Sequence, residues 1–99
     1  MEEIMVEKIF LKDPENIENN WVFDEDEVDY LVYLLKKNGI PAEAEKKGLF
    51  SMGLRLIIIP YNYQKKSVQV LKNKYFKYPP EIREKIIEEA QKKLSEVVE

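Results

Sequence analysis

The feature that most constrains the fold is an abrupt helix stop followed by two strand-like segments. The run Asn38-Gly39-Ile40-Pro41 ends an amphipathic segment that begins at Asp24. Glycine favours the left-handed conformation that closes helices, and proline cannot continue one. After the stop, Ala42–Lys46 alternates small apolar residues with glutamates, whereas Leu54–Ile59 is apolar on both faces except at Arg55. We therefore predict a helix, an edge strand, a loop and a central strand in this order.

The predicted helix carries clear signals at its start. Asp24 is the expected N-cap, and Glu27 follows three residues later, as in a capping box. The helix is predicted to end at Lys37. Its apolar stripe is formed by Val28, Leu31, Val32 and Leu35 and is widened by Tyr30, Tyr33 and Leu34. Such a broad arc predicts packing against the sheet and against a second neighbour.

The rest of the chain adds one strand before this unit and two helices after it. Strand-forming residues predict strand one over Ile4–Leu11, and turn-forming residues predict a loop over residues 13–20. A second helix is predicted over Asn62–Phe76, and a third from Glu81 after the Pro79-Pro80 pair. The inward residues are expected to be Val68, Leu71 and Tyr75 in the second helix and Ile82, Ile86, Ala90, Leu94 and Val97 in the third.

These elements predict a single α+β domain over residues 1–99, with the element order β-α-β-β-α-α. A hairpin of strands two and three after a right-handed crossover gives a three-stranded antiparallel sheet of order 1-3-2. This is a ferredoxin-like fold that lacks strand four and has an added C-terminal helix. The free edge of strand one is then covered by the third helix, blunted by Glu7 and Lys8, or paired with another chain.

Composition narrows the classes of function. The 99 residues include no Cys and no His, so disulfides, thiolate nucleophiles, cysteine metal sites and the usual neutral-pH general base are excluded. We expect no enzyme activity, cofactor or metal site. The chain starts without a basic and apolar leader, and its longest apolar run is Leu56–Ile59, so we expect a cytoplasmic protein without a membrane segment. The abundance of Lys and Glu resembles the bias of hyperthermophile proteins.

Charge is distributed unevenly along the chain. Residues 1–33 contain eleven acidic and two basic residues, whereas residues 34–78 contain ten basic and two acidic ones. The two halves either neutralise each other across the fold or leave a basic binding face. That face would comprise Lys46, Lys47, Arg55, Lys65, Lys66 and Lys72.

Tyrosines lie among these basic residues, so an alternative function is binding of RNA or single-stranded nucleic acid. Ile57 and Ile59 argue against a sheet-face RNA binder, which would present aromatic rings there.

Two further segments are candidate sites. The hairpin loop Gly48, Leu49, Phe50, Ser51, Met52 and Gly53 has glycines around apolar residues, which either contact a partner or fold back over the core. The carboxylates from Asp24 to Asp29 lack the spacing of a calcium loop, so helix capping and dipole chemistry are expected instead.

The chain also resembles a known family over about half its length, from Asp26 to Leu71. The matching features are the segment LLKKNGIPA at Leu34–Ala42, the Gly48-Leu49 pair, and RLIIIP at Arg55–Pro60 before an amphipathic helix. They resemble small prokaryotic signal-transducing domains of β-α-β-β-α type, which are similar to the nitrogen-regulatory signal proteins. The resemblance implies this fold and a regulatory role, and it supplies no catalytic residue. We therefore expect a regulatory or protein-interaction module that forms a homodimer or binds a protein partner.

Overall fold

The computed structural model describes residues 7–45 and 53–98, with side chains as far as Lys93. Its strands are β1 (Lys8–Phe10), β2 (Lys12–Asp13), β3 (Asn16–Asn20), β4 (Phe23–Asp24), β5 (Glu43–Ala44), β6 (Leu54–Arg55) and β7 (Ile57–Pro60). Its α-helices are α1 (Glu25–Lys37), α2 (Gln64–Leu71) and α3 (Pro80–Val98). A 3₁₀ turn, Tyr61–Tyr63, precedes α2, and a π-helical segment, Lys72–Phe76, extends it.

The principal sheet has the strand order β1-β7-β5, and both pairings are antiparallel. Ile59 lies opposite Ile9, and Ile58 lies between Phe10 and Glu43. Buried Ile57 and Ile59 alternate with half-buried Ile58 and Pro60, as expected for a central strand with one face on the core. The predicted α+β class and a three-stranded antiparallel sheet are confirmed. The ferredoxin-like classification stays a prediction.

Two small sheets correct the predicted architecture. Residues 13–20 were predicted as a loop, but β2 and β3 form an antiparallel hairpin there. The Asp13 side chain accepts a hydrogen bond from the Glu15 N–H at 2.8 Å, which closes the turn. The strand that follows is exposed, including Ile17 at 73%. The turn, rather than an apolar pattern, therefore specifies this hairpin.

The second correction concerns the segment Leu54–Ile59, which was predicted as one continuous strand. It is divided at Leu56: β6 pairs with β4, while β7 pairs with β1 and β5. Leu54 is 38% exposed, because its strand lies in a two-stranded ribbon instead of the principal sheet.

Helix α1 begins and ends where the sequence predicts. The Asp24 N–H donates to Glu27 Oε1 at 3.4 Å within the capping box, and the helix ends at Lys37. Gly39 has φ of +82°, the left-handed conformation expected at the helix stop. Its N–H donates to the Lys36 carbonyl at 3.0 Å.

The second and third helices differ from the prediction in detail. The segment predicted as one helix over Asn62–Phe76 combines 3₁₀, α and π turns, and Val68 is only partly buried while Ser67 is fully buried. Helix α3 begins at Pro80, one residue before the predicted start. Ile82 is 39% exposed instead of inward, and from this helix Ile86 and Ile87 pack against the core. The side chains of Leu94 and Val97 lie outside the described set.

One core cluster joins α1, β7 and α2. Its fully buried members are Leu11, Phe23, Leu31, Leu35, Ile40, Ile57, Ile59, Leu71 and Tyr75. Helix α3 packs on α1 at the edge of this cluster, which gives the broad apolar arc of α1 its second neighbour. Within residues 7–45 and 53–98, no helix is long and apolar enough to cross a lipid bilayer.

Candidate functional site

A wide groove lies between α1 and α3. Its volume is about 1340 Å³, and β5 and β6 contribute Ala44 and Arg55 to its lining. Helix α3 contributes Ile86, Ile87 and Ala90. Small-molecule sites are usually about 300–1000 Å³, so the size of this groove suits a segment of polypeptide better.

One wall of the groove is the exposed stripe of α1, which we call the α1 stripe: Asp26, Asp29, Tyr33, Lys36 and Lys37. Tyr33 is its centre and is 53% exposed. Asp29 and Lys37 lie four residues to either side, on the same face of the helix. Acidic residues therefore occupy one end and basic residues the other, the arrangement that the helix dipole favours.

The charged side chains of the α1 stripe form few interactions with other described residues. Among the described residues, neither Asp29 nor Lys37 forms an ion pair. The Lys37 ammonium lies 5.7 Å from the centroid of the Tyr33 ring. Both charges are thus available to a molecule that enters the groove.

Three tyrosine rings connect the groove to the core. Tyr30 lies 6.1 Å from Tyr33 and 5.9 Å from Tyr75, measured between ring centroids. The Tyr75 hydroxyl donates to Glu27 Oε2 at 2.7 Å. Burial, followed by this hydrogen bond, raises the pKa of Tyr75, and burial also raises the pKa of Tyr30. Both hydroxyls therefore stay protonated at neutral pH, and that of Tyr75 acts as a hydrogen-bond donor.

Arg55 closes one end of the groove. Its Nη2 lies 3.1 Å from Glu25 Oε2, and the Glu25 N–H donates to the Gly53 carbonyl at 2.7 Å. These contacts fix β6 against the start of α1. Arg55 was predicted to belong to a basic face, and the structure places it against a carboxylate in the groove.

The opposite wall, α3, is anchored by one arginine. The Arg83 guanidinium carbon lies 5.8 Å from the Tyr75 ring centroid and 5.3 Å from that of Phe76. Trp21 stacks on the Phe76 ring, with the two ring centroids 5.3 Å apart, and so extends the aromatic cluster. The stacked guanidinium holds the first part of α3 in place, and the later part borders the groove.

The remaining predicted site residues are described only in part. Residues Lys46, Lys47 and Gly48–Met52 lie outside the described ranges. Gly53 has φ of +75° and directly precedes β6. Lys65, Lys66 and Lys72 are exposed on α2 and its π-helical extension and do not line the groove.

Sequence reasoning missed the groove, because it forms only when α3 docks beside α1. The sequence placed Tyr33 in the widened apolar stripe of the helix, whereas the structure leaves it 53% exposed between Asp29 and Lys37. In the described part of the chain, no three carboxylates are grouped so that they could hold a metal ion.

The chain was compared with protein families, curated proteins and solved structures. No family model matches it, and no curated protein or solved structure shows significant similarity to it. The resemblance to small signal-transducing domains therefore stays a prediction.

Proposed function

We propose that this protein is a non-catalytic regulatory module that acts through homodimerisation, with α1 of each copy lying in the groove of the other. The observation that carries the proposal is the self-complementary charge order of the α1 stripe. Acid, tyrosine and base follow at equal spacing in Asp29, Tyr33 and Lys37.

A two-fold axis through Tyr33 converts this order into matched contacts. In an antiparallel pair of α1 helices, Asp29 of one copy meets Lys37 of the other, and the same contact occurs again on the far side of the axis. The two Tyr33 rings meet at the centre. An interface of this kind uses the same surface on both copies, which is the usual arrangement in homodimers.

The lining of the groove also suits this occupant. Tyr33 exposes about half of its surface, and the groove places the apolar side chains of Ile86 and Ala90 opposite the α1 stripe. A second α1 helix would cover these apolar side chains while its charged ends stay at the rim. Tyrosine at the centre and charge at the rim is a common composition for protein interfaces.

The sheet supports a related, finer proposal. Its order β1-β7-β5, with a hairpin-type pairing of β5 and β7, agrees with a ferredoxin-like unit that lacks a fourth strand. Fold alone does not define function, so this agreement supports the architecture and not the role.

The test is a solution mass across the micromolar range by analytical ultracentrifugation. Wild type is expected to be a dimer, and Tyr33→Ala a monomer. Asp29→Lys and Lys37→Asp each create two like-charge contacts and should weaken dimerisation about tenfold or more, whereas the double variant restores attraction and dimer mass.

Lys66→Glu is the matched control, because it reverses an exposed charge on α2, outside the groove. It should leave the mass unchanged. A monomeric wild type at every concentration, or a double variant that is no better than the single ones, would contradict the proposal.

A further inference from the structure

A second surface, distinct from the groove, carries an unbalanced positive charge. Residues 46–80 contain eight basic and no acidic residues. Within this stretch, five exposed lysines lie on or next to α2, and we call them the α2 lysine face: Lys65, Lys66, Lys72, Lys74 and Lys77.

None of these lysines forms an ion pair with any of the described residues. Lys77 has only a cation–π contact, at 5.1 Å from the Tyr78 ring. By contrast, Lys8 and Arg55 each pair with a glutamate, at 3.3 and 3.1 Å. The charge of the α2 lysine face is therefore not neutralised by an ion pair with a described residue, although the whole chain has a net charge of −3.

The spacing along the helix orders part of this charge into a line. Lys65, Gln69 and Lys72 follow at intervals of four and three residues, so they share one side of the helix and span about 10 Å of its axis. All three are exposed. Their spacing suits contact with successive phosphates of one strand.

An exposed aromatic ring precedes the helix. Tyr61 lies four residues before Lys65, in the 3₁₀ turn that leads into α2; it is 58% exposed and has no ring or cation contact among the described residues. Its backbone is fixed, since the Tyr61 N–H donates to the Glu7 carbonyl at 2.8 Å. A fixed, open aromatic face is the element on which single-stranded bases stack.

From this arrangement we propose that the α2 lysine face, together with Tyr61, binds single-stranded nucleic acid. The lysines contact phosphates, and a base stacks on the tyrosine. The exposed Tyr61 ring favours nucleic acid over an acidic protein as the ligand. The carboxylates of an acidic protein would pair with the lysines, but they would make no use of an aromatic ring. Because Ile57 and Ile59 are buried, we assign nucleic-acid binding to the helix rather than to the sheet.

Fluorescence anisotropy with a labelled oligouridylate at low salt tests the proposal. The triple variant Lys65→Gln/Lys66→Gln/Lys72→Gln should bind at least about tenfold more weakly, and the slope of log affinity against log salt should shrink by about 2, since each phosphate contact contributes about 0.7. The matched control Lys85→Gln/Lys92→Gln/Lys93→Gln removes the same charge from exposed positions of α3 and should stay within about twofold of wild type.

Two further measurements separate stacking from charge. Tyr61→Leu should weaken oligonucleotide binding about fivefold or more without changing the salt slope. Polyglutamate of matched length should compete poorly. The proposal is overturned if wild type does not bind at low salt, if both triple variants lose affinity equally, or if polyglutamate competes as well as the oligonucleotide.

This inference does not rest on dimerisation. Tyr33→Ala is expected to be monomeric and still to bind the oligonucleotide through each α2 lysine face. The failure of one proposal therefore leaves a clear result for the other.

Discussion

The side-chain amide of Gln64 lies beside Lys12 in the way that a neighbouring strand would. Gln64 Oε1 accepts from the Lys12 N–H at 2.9 Å, and Gln64 Nε2 donates to the Lys12 carbonyl at 3.1 Å. One side chain from α2 thus satisfies both backbone groups of a residue 52 positions earlier in the sequence. The contact joins the helix to the first residue of the β2–β3 hairpin.

Replacing Gln64 with Ala should therefore destabilise the fold. Two partly buried backbone groups lose their partners, and we expect the free energy of unfolding to fall by about 1–2 kcal/mol. Urea unfolding followed by circular dichroism measures the change. Gln69→Ala, at an exposed position of the same helix, controls for helix propensity and should change stability by less than about 0.5 kcal/mol.

Replacing Tyr75 with Phe removes the hydroxyl that bonds Glu27. The ring is 1% exposed and keeps its packing, so the change isolates the 2.7 Å hydrogen bond. We expect a loss of about 1–2 kcal/mol in unfolding free energy at neutral pH. Tyr61→Phe, at a hydroxyl on the surface, should have no measurable effect; equal effects of the two variants would argue against the bond.

Alkaline pH should reduce the difference between wild type and Tyr75→Phe. The pKa of Tyr75 is raised in the folded state, by burial and by the bond to Glu27. The unfolded chain loses this proton near pH 10, so the stabilisation is complete below about pH 10 and declines above it. Urea midpoints measured at increasing pH should converge for the two proteins. A constant difference across this range would contradict the assignment.

Replacing Ser67 with Ala should stabilise the protein. The Ser67 side chain is fully buried, and its hydroxyl has no hydrogen-bond partner among the described residues. Removing the hydroxyl ends the cost of burying it, and Ala is the better helix former, so we expect a gain of about 1 kcal/mol. A thermal melt detects the gain. A loss of stability would show that the hydroxyl has a partner or fills space that the core needs.

Replacing Gly39 with Ala should destabilise the helix stop by about 1 kcal/mol. No atom lies within 4 Å of the position that a Cβ would occupy, so the cost comes from the positive φ alone. Gly39→Asn should cost less, because asparagine tolerates the left-handed region better. The urea midpoint should be highest for wild type, lower for Gly39→Asn and lowest for Gly39→Ala.

The fold could be predicted where particular residue types strongly favour one local structure. Asp24 with Glu27 marks a helix start, and Gly39 with Pro41 marks its end. The buried face of Ile57 and Ile59 marks a central strand. These signals are local, and tertiary contacts do not change them.

The hairpin over residues 12–20 could not be predicted in this way, because Ile17 is its sole large apolar residue and is exposed. Its backbone pairing depends on the turn at Asp13. The division of the strand at Leu56 was hidden for a different reason. It depends on the pairing of Arg55 with Phe23, which lies more than thirty residues earlier in the sequence.

The candidate site was only partly accessible from the sequence. The lysines of α2 could be recognised as a basic cluster, but Arg55, which the sequence grouped with them, lies in β6 and pairs with Glu25. The α1 stripe becomes a groove wall only in the presence of α3, whose position depends on Arg83 reaching two rings. Such long-range contacts produce no periodic pattern that could be recognised in a single sequence.

The π-helical segment Lys72–Phe76 shifts the phase of the helix surface. A π turn contains one residue more than an α turn, so every position beyond it is rotated relative to a regular continuation of α2. This rotation accompanies the inward placement of Tyr75 and Phe76 side by side, with their rings 4.8 Å apart. Lys74 and Lys77 follow Lys65 by nine and twelve residues, so neither would share its side of the helix even in a regular α continuation. The positive surface therefore winds around the helix, and a strand that follows it would have to curve.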